Sequence, residues 1–174
     1  MSAHGIRPVV RVIASAAPPV LHIQTLLDQV QAAGWSPHLI ATPTAATWLH
    51  ADGGPVVSWV SRMPMPGEDL VLSDPALVVA APATFNTINR WAAGVNDTLA
   101  LGLLNEALGA RLPIVAAPHV NSALAGHPAY QRNLALLRQA GVRIAGDGTP
   151  CPGGCHGAAH WTDVIACLPE PGGR

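Results

Sequence analysis

The sequence predicts an α/β protein in three layers, with helices on both faces of a parallel sheet. Three observations predict it. Leu77 to Ala81 is an unbroken apolar run of strand length, which suits a central parallel strand covered on both faces. Val9 to Ala14 reads as a first strand of β-branched residues, left by the small-residue turn Ser15-Ala16-Ala17-Pro18. Pro19 to Ala33 then carries Val20, Ile23, Leu27 and Val30 at helical spacing on one face, with Gly34 as its stop, which completes a βα unit. Repetition of strand, small-residue turn and helix is the pattern of a Rossmann-like, flavodoxin-like sheet. The 174 residues are one domain's length, so residues 1–174 are read as a single domain.

Composition narrows the function classes. Hydrophobic residues make up 49% of the chain, enough for a sizeable core, whereas charged residues make up only 11%. A typical soluble domain carries about 25% charge. So few charges on a small surface point to burial of part of it against other copies, and a homo-oligomer is expected. With 9 Lys plus Arg, a net charge of −1 and no basic run, nucleic acid is not an expected partner. No apolar stretch approaches the ~20 residues of a spanning helix, so no membrane partner is expected. Arg11 interrupts the apolar N-terminal stretch, which is too short for a secretory leader, and the cytoplasm is the expected compartment.

The elements follow in order. In the first turn, backbone N–H groups of Ser15 and Ala16 are positioned to cradle an anion, although the glycines usual in such turns are absent. Pro37 to Ala41 is the second strand. Thr42 caps the next helix and Pro43 takes its first position, which leaves Thr44 as a hydroxyl without an evident structural task. Residues 50–74 show no clear period beyond a short strand near Val56 to Val60, and Trp59 there reads as a core aromatic in preference to a ligand or subunit contact. Pro82 is expected to end the central strand, because it has no N–H to give. Ala83-Thr84-Phe85-Asn86-Thr87 then sits where the carboxyl end of a strand meets a helix, the place where open α/β sheets bind ligands. Capping explains one of Thr84, Asn86 and Thr87 but not all three.

Asp97 is read as the cap of the next helix, which carries Leu101, Leu104 and Leu108 and stops at Gly109. Pro113 to Ala117 is another buried strand and delivers Pro118-His119-Val120-Asn121 beside the end of the Leu77 strand. The amide of Asn121 can donate and accept, which suits a ring edge or a substrate carboxylate. His127-Pro128 opens a helix with Leu134, Leu137 and Ala140 on its apolar side. The Gly/Pro/Cys-rich stretch near 146–160 reads as a flexible loop. Its Cys151 and Cys155 have a C-x3-C spacing unlike the usual zinc pair, so no metal is expected. For residues 161–168 the pattern does not choose between strand and helix.

Two segments carry a resemblance. PATFNT followed by INRWAAGVNDTLA resembles the PASANT motif and downstream helix of the flavin-containing cysteine decarboxylases, a family that includes phosphopantothenoylcysteine decarboxylase and lantibiotic peptide decarboxylases. HPAYQRNLALLRQAGV resembles the same family's N-P-A-x-x-x-N-x-x-x-L-x-x-x-G-V segment. Weaker matches are TPTAATWL to T-x-x-A-x-x-F-I, Gly94 to Asp97 to G-I-A-D, and Pro118 to Ala125 to P-x-M-N-x-x-M-W, in which Val120, Leu124 and Ala125 replace the methionines and the tryptophan. The resemblance covers about Val9 to Ile144.

It implies FMN as cofactor, a trimer or multiple of trimers, and oxidative decarboxylation of a small-molecule or peptide thiol substrate. The flavin contacts it implies, together with the turn chemistry, are Ser15, Ala16, Thr42, Thr44, Pro82, Ala83, Thr84, Asn86, Thr87, Ala117 and Asn121. The chain departs from the family at the catalytic histidine, whose place upstream of the motif falls at Glu68; no histidine lies between His50 and His119. Asn121, His119 and Glu68 are therefore the catalytic candidates, Glu68 on the condition that it is buried. Two further readings stay open, a flavin-binding accessory protein whose catalysis has lapsed and a flavin prenyltransferase.

Overall fold

A computed structural model describes residues 7–55, 59–69, 71–148 and 161–172. The strands are β1 (Val9–Ala14), β2 (Ser36–Ala41), β3 (Trp59–Val60), β4 (Leu77–Ala83), β5 (Ile114–Pro118) and β6 (Arg143–Ile144). They form a six-stranded sheet in the order β3-β2-β1-β4-β5-β6, and each neighbouring pair is parallel. The order runs one way from β1 to β3 and the other way from β4 to β6. The reversal falls between β1 and β4, which makes a crevice outside their carboxyl ends.

Strand alternation explains the layers. Val10, Val12 and Ala14 of β1, with Leu77, Val79 and Ala81 of β4, pack on one face against α1 (Ile23–Ala32), α2 (Pro43–Ala51) and α7 (Trp161–Ala166). Ile13, Val78 and Ala80 pack on the other against α3 (Phe85–Ala92), α4 (Leu99–Gly109) and α6 (Pro128–Gln139). All seven residues of β4 are buried, as a strand covered on both faces requires. At the far end of β1, Arg11 is buried, and its Nη2 donates to the Ser73 carbonyl at 3.0 Å. Burial lowers its pKa, against the opposing fields of Glu106 and Asp74.

Three expectations are corrected in detail. The first helix begins as a 3₁₀ turn over Pro18–His22, because consecutive prolines remove N–H donors and the chain closes on Val20 N to Ala17 O at 2.8 Å. Gly34 ends α1 as expected, at φ +93°. Pro82 does not end β4: the strand continues to Ala83 through a register irregularity, which absorbs the missing donor. The α4 cap is Thr98, whose Oγ1 accepts from Leu101 N at 3.2 Å, while Asp97 is engaged elsewhere. Residues 161–166 are helical, with Trp161 Nε1 donating to the His22 carbonyl at 3.3 Å. β3 pairs with β2 through Trp59 and Val60, and residues 56–58 of the expected strand lie outside the described residues. So do residues 149–160, which hold Cys151, Cys155, His156 and His160.

Candidate active site

The crevice at the reversal point is a cleft of about 780 Å³, in the range of small-molecule and cofactor sites. Its floor is a hydroxyl cluster. Ser15 leaves β1, and its Oγ lies 2.7 Å from Thr87 Oγ1 of α3; Thr84 Oγ1 lies 3.0 Å from the same atom. Ser15 and Thr87 are buried, so this contact joins the ends of β1 and β4 away from water. The backbone repeats the link, with Ser15 N donating to Pro82 O at 2.9 Å.

Helix starts converge on this floor. Thr84 caps α3, its Oγ1 accepting from Thr87 N at 3.3 Å, and Thr42 caps α2, accepting from Ala45 N at 3.3 Å. The N–H groups of Phe85, Asn86 and Thr44 lie in the first turns, where no intrahelical acceptor exists, and all three residues line the cleft. Such groups favour an anion. The start of α3 is fixed from below. Phe85 stacks on Tyr130 at 6.0 Å and meets His127 edge-on at 5.7 Å. Asn133 Nδ2 donates to Asn89 Oδ1 at 2.7 Å, and Asn89 Nδ2 donates to the Phe85 carbonyl at 2.9 Å.

The other wall comes from β5 and the short helix α5 (Ser122–Ala125). His119 N donates to Ala83 O at 2.8 Å, which hangs the segment His119 to Asn121 from the end of β4. Asn121 caps α5, its Oδ1 accepting from Leu124 N at 2.9 Å. His119, Val120, Asn121 and Leu124 line the cleft.

Of the residues singled out in the sequence, Ser15, Ala16, Thr42, Thr44, Thr84, Asn86, Thr87, His119 and Asn121 meet at the cleft. Pro82, Ala83 and Ala117 do not reach its wall; they are buried in the strands behind it, and Pro82 and Ala83 contribute carbonyls that tie the loops together. Glu68 fails its condition. It is exposed, held by Arg62 Nη1 at 2.7 Å and by Met65 N at 2.8 Å, and it is not part of the cleft lining. Those bonds pull its carboxyl down to about 2, the wrong direction for a base at neutral pH. Sequence reasoning missed Arg90, Thr98 and Leu101, which complete the lining. For Arg90 the signal was helical spacing, since Asn86, Thr87 and Arg90 at i, i+1 and i+4 share one side of α3.

Comparison with known proteins agrees with this geometry, since the Flavoprotein family model matches residues 6–170. The chain belongs to the Flavoprotein family. A curated cysteine/cysteine sulfinic acid decarboxylase from an unknown prokaryotic organism is 44% identical over 73 residues, 42% of this chain and 20% of that protein. A bifunctional coenzyme A biosynthesis protein of Thermococcus kodakarensis is 31% identical over 117 residues, 62% of this chain and 28% of that protein. The chain thus spans under a third of the length of these curated relatives. Among solved structures, the FMN-dependent cysteine decarboxylase of thioviridamide biosynthesis superposes with a TM-score of 0.67 at 23% identity, covering 81% of this chain and 91% of that one. That likeness establishes the shared α/β fold.

Proposed function

We propose that this protein binds FMN in the cleft and decarboxylates a thiol-bearing carboxylate. The reading is carried by the hydroxyl cluster of buried Ser15 and Thr87 with half-buried Thr84 beneath converging helix starts, in a cleft whose described lining holds no carboxylate. That donor set fits one terminal phosphate and the polar edge of a ring. Relatives that are decarboxylases, one of them described as FMN-dependent, support the chemistry.

When bound, the flavin supplies an electron sink, so that the oxidised thiol-bearing intermediate can lose CO2. The chain's own residues bind and orient. First-turn N–H groups of Thr44, Phe85 and Asn86, with the hydroxyls below them, hold the phosphate and ring. Asn121 spends its Oδ1 on the α5 cap, which leaves its amide NH2 as a donor to the reacting carboxylate. His119, on the same wall, is the group suited to accept the thiol proton, because Glu68 is tied to Arg62 outside the cleft. The engagement of Glu68 also favours the second reading, a flavin binder with little or no turnover.

Leu124, 38% exposed on the cleft rim, and the 11% charge content support assembly into a trimer or a multiple of trimers around the site. A monomer at micromolar concentration by light scattering would overturn that assembly.

The test is the purified protein's colour, the mass of its extracted cofactor, and CO2 release from a cysteine-terminated peptide and from phosphopantothenoylcysteine. Yellow protein carrying FMN is expected. Colourless protein that takes up no FMN would sink the proposal. Asn121→Asp separates enzyme from binder. Aspartate keeps the α5 cap, so folding and colour persist, but it sets one negative charge against another and abolishes turnover. Colour without turnover in the unmodified protein would favour the accessory reading.

A further inference from the structure

We propose that Arg90 is a specificity determinant, reading a second anionic group of the substrate, remote from the carboxylate that is lost; this rests on the proposed decarboxylation. Arg90 lines the cleft from α3, and no Asp or Glu is among the described lining residues. It lies one helical turn beyond Asn86 on the same side, about 6 Å along the axis. Thr98, at the start of α4, and the apolar Leu101 complete this end of the cleft. The guanidinium has a counter-ion at rest in Asp97, and both side chains are about half exposed, at 44% and 54%. An exposed pair of this kind contributes little stability and exchanges partners readily.

The reacting carboxylate is a poor partner for Arg90. A guanidinium paired with it would stabilise the ground state more than the transition state, in which that charge disperses into CO2, and would slow the reaction. A non-reacting anion suffers no such penalty. A fork of N–H donors suits a carboxylate or phosphate at that place, and Asp97 sets a threshold that neutral ligands do not cross. The substrate class is therefore a thiol acid with an additional anion, in preference to a thiol acid with a neutral tail.

The test uses two probes whose methylated sulfur blocks turnover, N-succinyl-S-methylcysteine and N-butyryl-S-methylcysteine. They differ by one remote carboxylate. Calorimetric titration of the purified protein should show the succinyl compound bound at least about tenfold more tightly. The preference should vanish in Arg90→Gln, persist in part in Arg90→Lys, and widen in Asp97→Asn. Equal binding, no binding of either probe, or a preference that survives in Arg90→Gln overturns the proposal, as does a tenfold loss of FMN affinity in Arg90→Gln with the probe preference intact. Thermal melts of the variants check folding. Colourless protein that retains the preference would sink the flavin reading alone, and yellow protein without it would sink this inference alone.

Discussion

The molecule holds two clusters of polar side chains that behave in opposite ways, the hydroxyls that the sequence marks as ligand contacts and the pair around Glu68, which it marks as a base only on condition of burial. In one, Ser15, Thr84 and Thr87 bond to each other beneath the cleft, with Ser15 2% exposed. In the other, Arg62 and Glu68 bond to each other on a surface loop, with side chains 65% and 47% exposed. Neutral hydroxyls tolerate burial because each can donate to one neighbour and accept from another, and being buried they present a fixed dipole pattern to a ligand. A carboxylate in a charged pair on the surface is satisfied by its partner and by water. It loses the high pKa that base catalysis requires. Chemistry collects where polar groups are held out of water and still have capacity to spare.

The sharpest way to break this contrast is Thr87→Val. It keeps the shape and removes the atom that both Ser15 and Thr84 bond, leaving the Ser15 hydroxyl buried without that partner. A loss of about 1–3 kcal/mol in denaturant unfolding is expected. Flavin binding, followed by fluorescence quenching, should weaken by more than about tenfold, since the floor and the start of α3 shift together. Unchanged flavin affinity would mean that the hydroxyl cluster is a structural clasp only.

Much of the buried cluster was legible beforehand. The apolar run of β4 and the small turn after β1 fix which strand ends meet, and hydroxyl residues at both ends announced the site. The misses have physical causes. Pro82 stays within β4 because its missing donor coincides with a register irregularity, which depends on β5 rather than on local sequence. Asp97 looked like the α4 cap, but Arg90 of the preceding helix competes for it and the adjacent Thr98 does the capping. Glu68 was the natural heir of a missing histidine only by position along the chain, and position says nothing about burial. Arg90 was hidden for the converse reason: a cation in a helix reads as solvated until the cleft beside it is known.

A smaller effect comes from Tyr130, which sharpens the rule by violating it. Its ring stacks under Phe85 at the start of α3, and its hydroxyl is buried with no hydrogen-bond partner among the described residues. Burial pushes the phenol up to about 12, against the opposing pull of Arg138. Below pH about 10 both folded and unfolded forms are protonated and the group is silent. Between about 10 and 12 the unfolded chain alone releases the proton, so stability falls as pH rises. Tyr130→Phe should match or exceed the parent near neutrality and lose that part of the alkaline decline, as read by unfolding midpoints between pH 8 and 11. A variant less stable at neutrality would show that the hydroxyl has a partner.

The smallest effect is expected at Glu68, and it tests the other half of the comparison. The carboxyl is held down to about 2 by the Arg62 and Met65 hydrogen bonds, against an ordinary 4.5. A depressed carboxyl stabilises the folded state above its unfolded pKa and loses that contribution as pH falls through the folded one. The window is therefore pH about 4.5 down to about 2, and nothing should change near neutrality. Exposure and salt reduce the contribution further, so Glu68→Gln should leave the neutral melting temperature and flavin colour unaltered and flatten only the acid limb, less so in high salt. Turnover, where present, should also survive, because the side chain faces Arg62 rather than the cleft. A large fall in turnover at neutral pH with colour retained would show instead that Glu68 reaches the chemistry, and the contrast between buried and solvated clusters would no longer separate site from scaffold.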